Sequence, residues 1–457
     1  MSELDLLLRG GLVVTATETR PADIGVADGR IVALEPGVMA SSREVIDAVG
    51  LHVLPGLIDA HVHFNEPGRT DWEGFETGTR ALAAGGGTTF FDMPLNAHPP
   101  TVDAASFDQK LQAAQSGSLV DFAFWGGLVP GNLDQLEELA GRGVIGFKAF
   151  MANSGIEDFE NVDDRTLREG MKRAARLNKI VAVHAESETM TRELTRQRLR
   201  SGKTSIRDFL DSRPMEAELD AIQRALAMAG ETGCSLHIVH VSCGAGITLI
   251  AAAQKLGLDV SCETCPHYLM LTEEDVLQLG AVAKCAPPLR PAAAQETLWR
   301  HLESGLVTTV GSDHSPAPPE MKMDANFFKV WGGISGGQHT LPILITEGHV
   351  KREAALPLIS RLVSFNVAQR FGLPPAKAGI GAGADADLAL VDLKQEFTVE
   401  KQDLFCRHRQ SPYLGRKLRG RVVRTILRGH TIFKDGKITS KPVGQLVKPV
   451  IRGKQHD

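Results

Sequence analysis

The stretch GLIDAHVHFNEPGR sets His61 and His63 two residues apart at the end of an apolar run. In a strand, positions i and i+2 face the same side, so both imidazoles share one face. Neutral imidazoles bind zinc and similar borderline cations at about 2.0–2.1 Å. Comparable residue types end other apolar runs: Lys148 in GFKAFM, His184 in VAVHAE, His240 in LHIVHVS and Asp313 in VGSDHSP. A single buried histidine is usually just a hydrogen-bonding group, and a lone buried lysine usually reaches for an acid or for water. The joint pattern points instead to a metal-dependent hydrolase.

His61 and His63 form one pair of candidate ligands, and His184 and His240 a second. Two cations ~3.5–4 Å apart repel each other and need an anionic bridge. Carboxylates normally supply it, yet Lys148 occupies the strand end where one would serve. An ammonium of pKa ~10.4 is cationic and cannot bind a metal. A lysine carbamate, formed with CO2, is an anion with two oxygens and a long reach. Asp313 completes the reading. A carboxylate beside a bridging hydroxide can take its proton during attack and pass it to a departing nitrogen. The chemistry is metal-assisted hydrolysis of a C–N bond. His237 lies three residues from His240 and so faces the other way; it reads as structural, as does His314 beside Asp313. His267, in CPHYL, is a candidate support residue on the seventh run.

These residues need a scaffold that brings distant strand ends together. Short apolar runs fall at 57–64, 88–95, 121–128, 144–151, 180–186, 235–243, 259–268 and 308–316. Between them lie segments of 3.6-residue periodicity, such as TLREGMKRAARLN and MEAELDAIQRALAMAGETG. Eight such units predict an α/β fold, a TIM-type (β/α)8 barrel, whose active sites sit at the C-terminal strand ends. No GxGxxG turn follows the first strand, which disfavours a doubly wound sheet; AGGGTT at 84–89 precedes a strand and reads as a tight turn. Both chain ends alternate like antiparallel strands, with Asp28-Gly29 and Asp435-Gly436 suited to type I′ turns. They predict a small β-sandwich from residues 1–53 plus 375–457, around a catalytic barrel at 54–374.

The 457 residues carry a net charge of -5, with 43% apolar and 23% charged side chains. That balance points to neither nucleic acid nor a membrane surface, and no run approaches the ~18 apolar residues of a span. Acidic Glu3 and Asp5 and the absence of a signal-peptide pattern predict a cytoplasmic protein. Six scattered cysteines form no disulfide framework, and the lone CxxC at Cys262 and Cys265 reads as structural.

Taken with GFKAFM, VHAES, HIVHVS, ETCPHYL, CAPPLRP, GSDHSP and the late GIGAGADADLALVDL, the opening motif resembles the cyclic amidohydrolases of the amidohydrolase superfamily, over essentially the whole chain. The resemblance implies two divalent metal ions per subunit, zinc foremost with Co, Mn, Ni or Fe as alternatives, and CO2 to make Lys148 an N6-carboxylysine. It assigns His61, His63, Lys148, His184, His240 and Asp313 as ligands, with Asp313 as acid/base. It also implies a homo-oligomer, commonly a homotetramer, acting on a small molecule: the hydantoin ring of allantoin, in ureide and purine catabolism. Asn65, Asn96, Ser315, Ala286 and Gly332 match positions expected to line the substrate pocket. Dihydroorotases typically have arginine where this chain has Asn65, pairing with the substrate carboxylate; nearby Arg69 could compensate. Hydantoinases usually have tyrosine at the position of Asn153. Both enzymes are alternatives. A non-catalytic alternative, the dihydropyrimidinase-like structural proteins, generally lacks part of the ligand set, and this chain retains all six residues.

Overall fold

The computed structural model describes residues 3–450. Each of the eight middle runs contains a strand: Leu57–Val62, Gly87–Asp92, Asp121–Phe124 continued by Gly126–Gly127, Gly146–Phe150, Ile180–His184, Leu236–Ile238, Val260–Thr264 and Thr309–Val310. Every residue in them is buried. Parallel strands covered on both faces read as continuous apolar runs for this reason. Successive strands pair in parallel. The ring closes where Val62 bridges His314 in parallel and the His63 amide donates to the His314 carbonyl at 2.8 Å. The expected barrel is the observed one.

The two quoted helical patterns form Asp164–Arg176 and Met215–Thr232. In the first, Leu167, Gly170, Met171 and Ala174 make the buried stripe, and the Asp163 side chain caps the Thr166 amide. Gly233, at φ +66°, ends the second.

Strands from both chain ends share one nine-stranded sheet. Its path runs from Lys437–Ile438 through His430–Lys434, Lys417–Leu427, Leu388–Thr398, His52–Pro55, Leu4–Val14 and Thr19–Ala27 to Arg30–Glu35, with Ser42–Asp47 also paired to Leu4–Val14. Asp28-Gly29 and Asp435-Gly436 adopt the positive φ of type I′ turns. A single residue, Gly56, joins this sheet to the first barrel strand. A Cβ there would lie 2.2 Å from Thr88 Oγ1.

One local expectation changes. His267 is not on the seventh strand but on the short helix Pro266–Met270 that follows it. Pro266, with its fixed φ and missing N–H, starts a helix rather than extending a ladder. All six cysteines are free and buried. Among the described residues no helix is long and apolar enough to cross a membrane.

Candidate active site

The C-terminal strand ends gather the histidines into one chain of contacts. Ring centroids are 5.4 Å apart for His61 and His63, 5.4 Å for His61 and His240, and 4.7 Å for His184 and His240. Asp313 follows the eighth strand, with Oδ1 at 3.3 Å from His61 Nε2 and 3.4 Å from His63 Nε2. Ligand atoms of these three residues all lie within 4.8 Å of one another.

Two carboxylates that the sequence reading missed fix the ring orientations. Glu263, on the seventh strand, stands 2.8 Å from His61 Nδ1. Glu186 stands 2.8 Å from His184 Nε2 and also pairs with Arg213. A ring N–H donated to a carboxylate leaves the other nitrogen with its lone pair free, which is how metal-ligating histidines are usually oriented. In His61 that nitrogen faces Asp313; in His184 it faces His240 Nε2 at 3.1 Å. Both acids carried a signal in retrospect. Glu186 lies two residues past His184, just beyond the end of the strand Ile180–His184, and Glu263 is a charge inside an apolar run.

Burial holds all four imidazoles below their ordinary pKa, His61 at about 4. They are therefore neutral, the form that binds metal. Burial opposes ionisation of Asp313, but His61, His63 and His240 outweigh it and hold the carboxyl well below its usual range. Glu186 is drawn down to about 2 against its burial by Arg213 and His184. Lys148, in the fourth strand, is fully buried, and its Nζ has no hydrogen-bond partner. Its ammonium nitrogen lies 4.3 Å from the Phe150 ring centroid, and burial pulls its pKa down to about 7. The charges it senses are Asp313 and Glu263, and it is sensed in turn by His61, His184 and His240. Its charge is thus felt at His61 of the first imidazole pair and at both members of the second, and at His237 as well. His63 Nδ1 and His240 Nδ1 are likewise buried without a partner. Neutral imidazoles with oriented lone pairs, a carboxylate and an unpartnered amine fit a metal centre.

A cavity of about 760 Å3 opens over the site, lined by His61, His63, His184, His240 and Asp313. Asn96, Ala286, Ser315 and Gly332 also line it; Asn65 and Lys148 are not among the lining residues. Asn65 is buried; its Nδ2 donates to the Pro316 carbonyl at 3.3 Å, and its Oδ1 has no hydrogen-bond partner. Arg69 is also committed elsewhere. It donates to the Asn96 and Ala97 carbonyls and pairs with Asp158 at 3.1 Å. His237 bonds Ser261 Oγ at 2.7 Å.

The profile of the amidohydrolase family matches residues 52–432. The chain belongs to the amidohydrolase family. Proteins of this family are typically metal-dependent, which agrees with the His61, His63 and Asp313 group. The amidohydrolase chain is 57% identical to a protein named allantoinase from Rubrobacter xylanophilus, over 98% of each chain. It is 52% identical to one of the same name from Deinococcus radiodurans, over 98% of this chain and 99% of that one. Among solved structures, the L-hydantoinase (dihydropyrimidinase) from Arthrobacter aurescens matches with a TM-score of 0.95 at 35% identity, covering 97% of this chain and all of the other.

Proposed function

We propose that this chain hydrolyses the ring amide of allantoin to give allantoate, with two divalent metal ions and a carboxylated Lys148. The observation that carries the reading is 57% identity, along 98% of the chain, to a protein named allantoinase. His61, His63 and Asp313 would hold one ion and His184 and His240 the other, with the Lys148 carbamate shared between them. Burial leaves much of Lys148 as neutral amine near neutral pH, the form that adds to CO2. Zinc heads the candidates, with Co, Mn, Ni or Fe suited to the same ligands. When bound, the ions polarise the scissile carbonyl and acidify water.

The chain's own residues do the rest. Asp313, held ionised, accepts a proton from the attacking water and delivers it to the ring nitrogen as the C–N bond breaks. One water is consumed; a carboxylate and a freed ureido nitrogen result. Asn96, Ala286, Ser315 and Gly332 offer the wall against which the ring and its tail are oriented, and Asn65 acts from behind by holding Pro316. The engagement of Arg69 with Asp158 supports a substrate without a ring carboxylate, and so allantoin over dihydroorotate.

Hydantoin hydrolysis is the second reading, favoured by the Arthrobacter structure. Against it stands Asn153, whose Oδ1 accepts from the Gly155 amide and whose own amide donates to Glu188. It takes the place of the tyrosine usual in that branch. The enzyme would work in the cytoplasm as a homo-oligomer, a homotetramer by analogy; Val32 and Val45 on the terminal sheet are exposed apolar groups that an interface could cover.

The test is hydrolysis of allantoin, dihydroorotate and 5-substituted hydantoins after reconstitution with each divalent ion plus bicarbonate. Allantoin should have the highest kcat/KM, and chelation should remove activity. Faster turnover of dihydroorotate, or full activity without metal, would overturn the proposal.

A further inference from the structure

Strand eight leads into a long excursion, residues 316–333, that forms much of one cavity wall. Its neck is closed by the pairing of His314 with Ile334, where the Ser315 amide donates to the Ile334 carbonyl at 3.0 Å. Apart from one 3₁₀ turn, Pro319–Lys322, the excursion has no regular structure to hold it. Yet Phe328, Val330, Trp331 and Gly332 all line the cavity. Something other than secondary structure must fix the wall.

Two lysines are placed to do so. Lys284, only 5% exposed, donates from Nζ to the Phe327 carbonyl at 2.6 Å and to the Val330 carbonyl. Its backbone carbonyl accepts from the Gly333 amide at 2.8 Å. The ammonium lies 4.5 Å from the Phe209 ring centroid and 5.1 Å from that of Phe327. Lys322, within the excursion, donates to the carbonyls of Ala281, Trp331 and Gly333. Neither lysine forms an ion pair with a carboxylate among the described residues. A buried ammonium without a counter-charge is costly. Carbonyl acceptors satisfy both amines, with two ring faces added for Lys284, whose pKa burial pulls down to about 7, so both side chains are committed to the geometry of this loop. Lys284 itself lines the cavity, as do Cys285 and Ala286 beside it, in the connection between the seventh and eighth strands. It therefore ties two walls together.

We propose that Lys284, aided by Lys322, is a positioning residue that clamps the 316–333 excursion against the barrel and thereby sets which ring substituents the cavity admits. Its effect on substrate choice rests on the proposed cyclic-amide activity; the clamp itself does not.

The experiment compares wild type, Lys284→Met, Lys284→Arg and Lys322→Met, all metal-reconstituted. Methionine keeps an apolar stem on Phe209 and Phe327 and removes the N–H donors; arginine keeps donors. Hydrogen exchange of amides in 318–333 should speed by about tenfold or more in both methionine variants, with arginine nearer wild type. KM for allantoin should rise about tenfold in Lys284→Met, with kcat moving far less, since a loosened wall weakens binding more than chemistry. The rate on a bulky 5-benzylhydantoin relative to allantoin should increase. Unchanged loop exchange in both methionine variants overturns the clamp, as does a loss confined to kcat. If wild type fails to hydrolyse allantoin, the activity reading falls, while exchange still decides the clamp. If Lys284→Met does not fold, Lys322→Met carries the exchange measurement.

Discussion

Lys148 is a buried amine with no hydrogen-bond partner, close enough to His61, His184, His240 and Asp313 to act on them electrostatically. As a structural residue it would be hard to explain, because burying an unpaired cation costs several kcal/mol and a leucine would serve better. As the carrier of a carbamate it becomes the anion that two cations need. Lys148→Ala should therefore lose metal content as well as activity, by at least about a thousandfold if several kcal/mol of carbonyl polarisation vanish with the ions. Short carboxylic acids should restore part of both. Asp313→Asn, by contrast, should keep most of its metal and lose roughly 10²–10⁴ in kcat, the usual size of an acid–base contribution. Elemental analysis beside turnover separates the two. Full metal occupancy in Lys148→Ala would contradict the bridge.

At the scale of elements, much was legible because the signals are local. Period-3.6 stripes gave the Asp164–Arg176 and Met215–Thr232 helices, and Asp-Gly pairs gave two turns. The third turn, Arg428-Gly429 at φ +45° and +78°, was not legible, since arginine rarely takes that conformation. Nor were the partners Glu186 with Arg213 or Lys284 with Phe327, which depend on separations that no periodicity encodes. Backbone strain was equally hidden. Of ten non-glycine residues with positive φ among the described residues, Asn96, His240 and Asp313 line the cavity, and Asn65 lies two residues past His63. Such strain persists where surrounding structure over-determines it, and it gathers at functional sites. The junction between sheet and barrel has its own requirement. Gly56→Ala would put a Cβ 2.2 Å from Thr88 Oγ1 and 2.8 Å from Thr88 Cβ. We expect a loss of about 1–3 kcal/mol in denaturant unfolding. Thr88→Ala in the same chain should recover part of it, because the nearest atoms leave. Additive losses in that double mutant would refute the contact.

On the scale of the whole molecule, the chain ends are bound to the barrel by buried charge as well as by strands. Lys377 is nearly buried and donates to Asp121, at the start of the third barrel strand, and to Asp387 at 2.7 Å, with Asp385 at 3.0 Å. Arg428 pairs with Asp121 and its amide donates to Asp387, while Arg30 pairs with Asp385 at 3.1 Å. Three cations thus face three carboxylates, and the barrel, the segment before Leu388–Thr398 and the sheet turn at Arg428 all meet there. Burial alone would pull the Lys377 amine down; Asp387, Asp121 and Asp385 outweigh it and hold the amine above its ordinary range. Lys377→Met removes one of three cations and leaves the buried Asp387 without a cationic partner, a change that typically costs about 3–5 kcal/mol. Because the folded pKa is raised above an unfolded value of ~10.4, the stabilisation is complete below that pH and disappears as pH climbs through the folded pKa. Denaturant unfolding should therefore show a constant gap between wild type and Lys377→Met from about pH 7 to 9, narrowing only beyond ~10.4. A gap under about 1 kcal/mol, or one that closes between pH 7 and 9, would mean that strand pairing and apolar packing alone join the chain ends to the barrel.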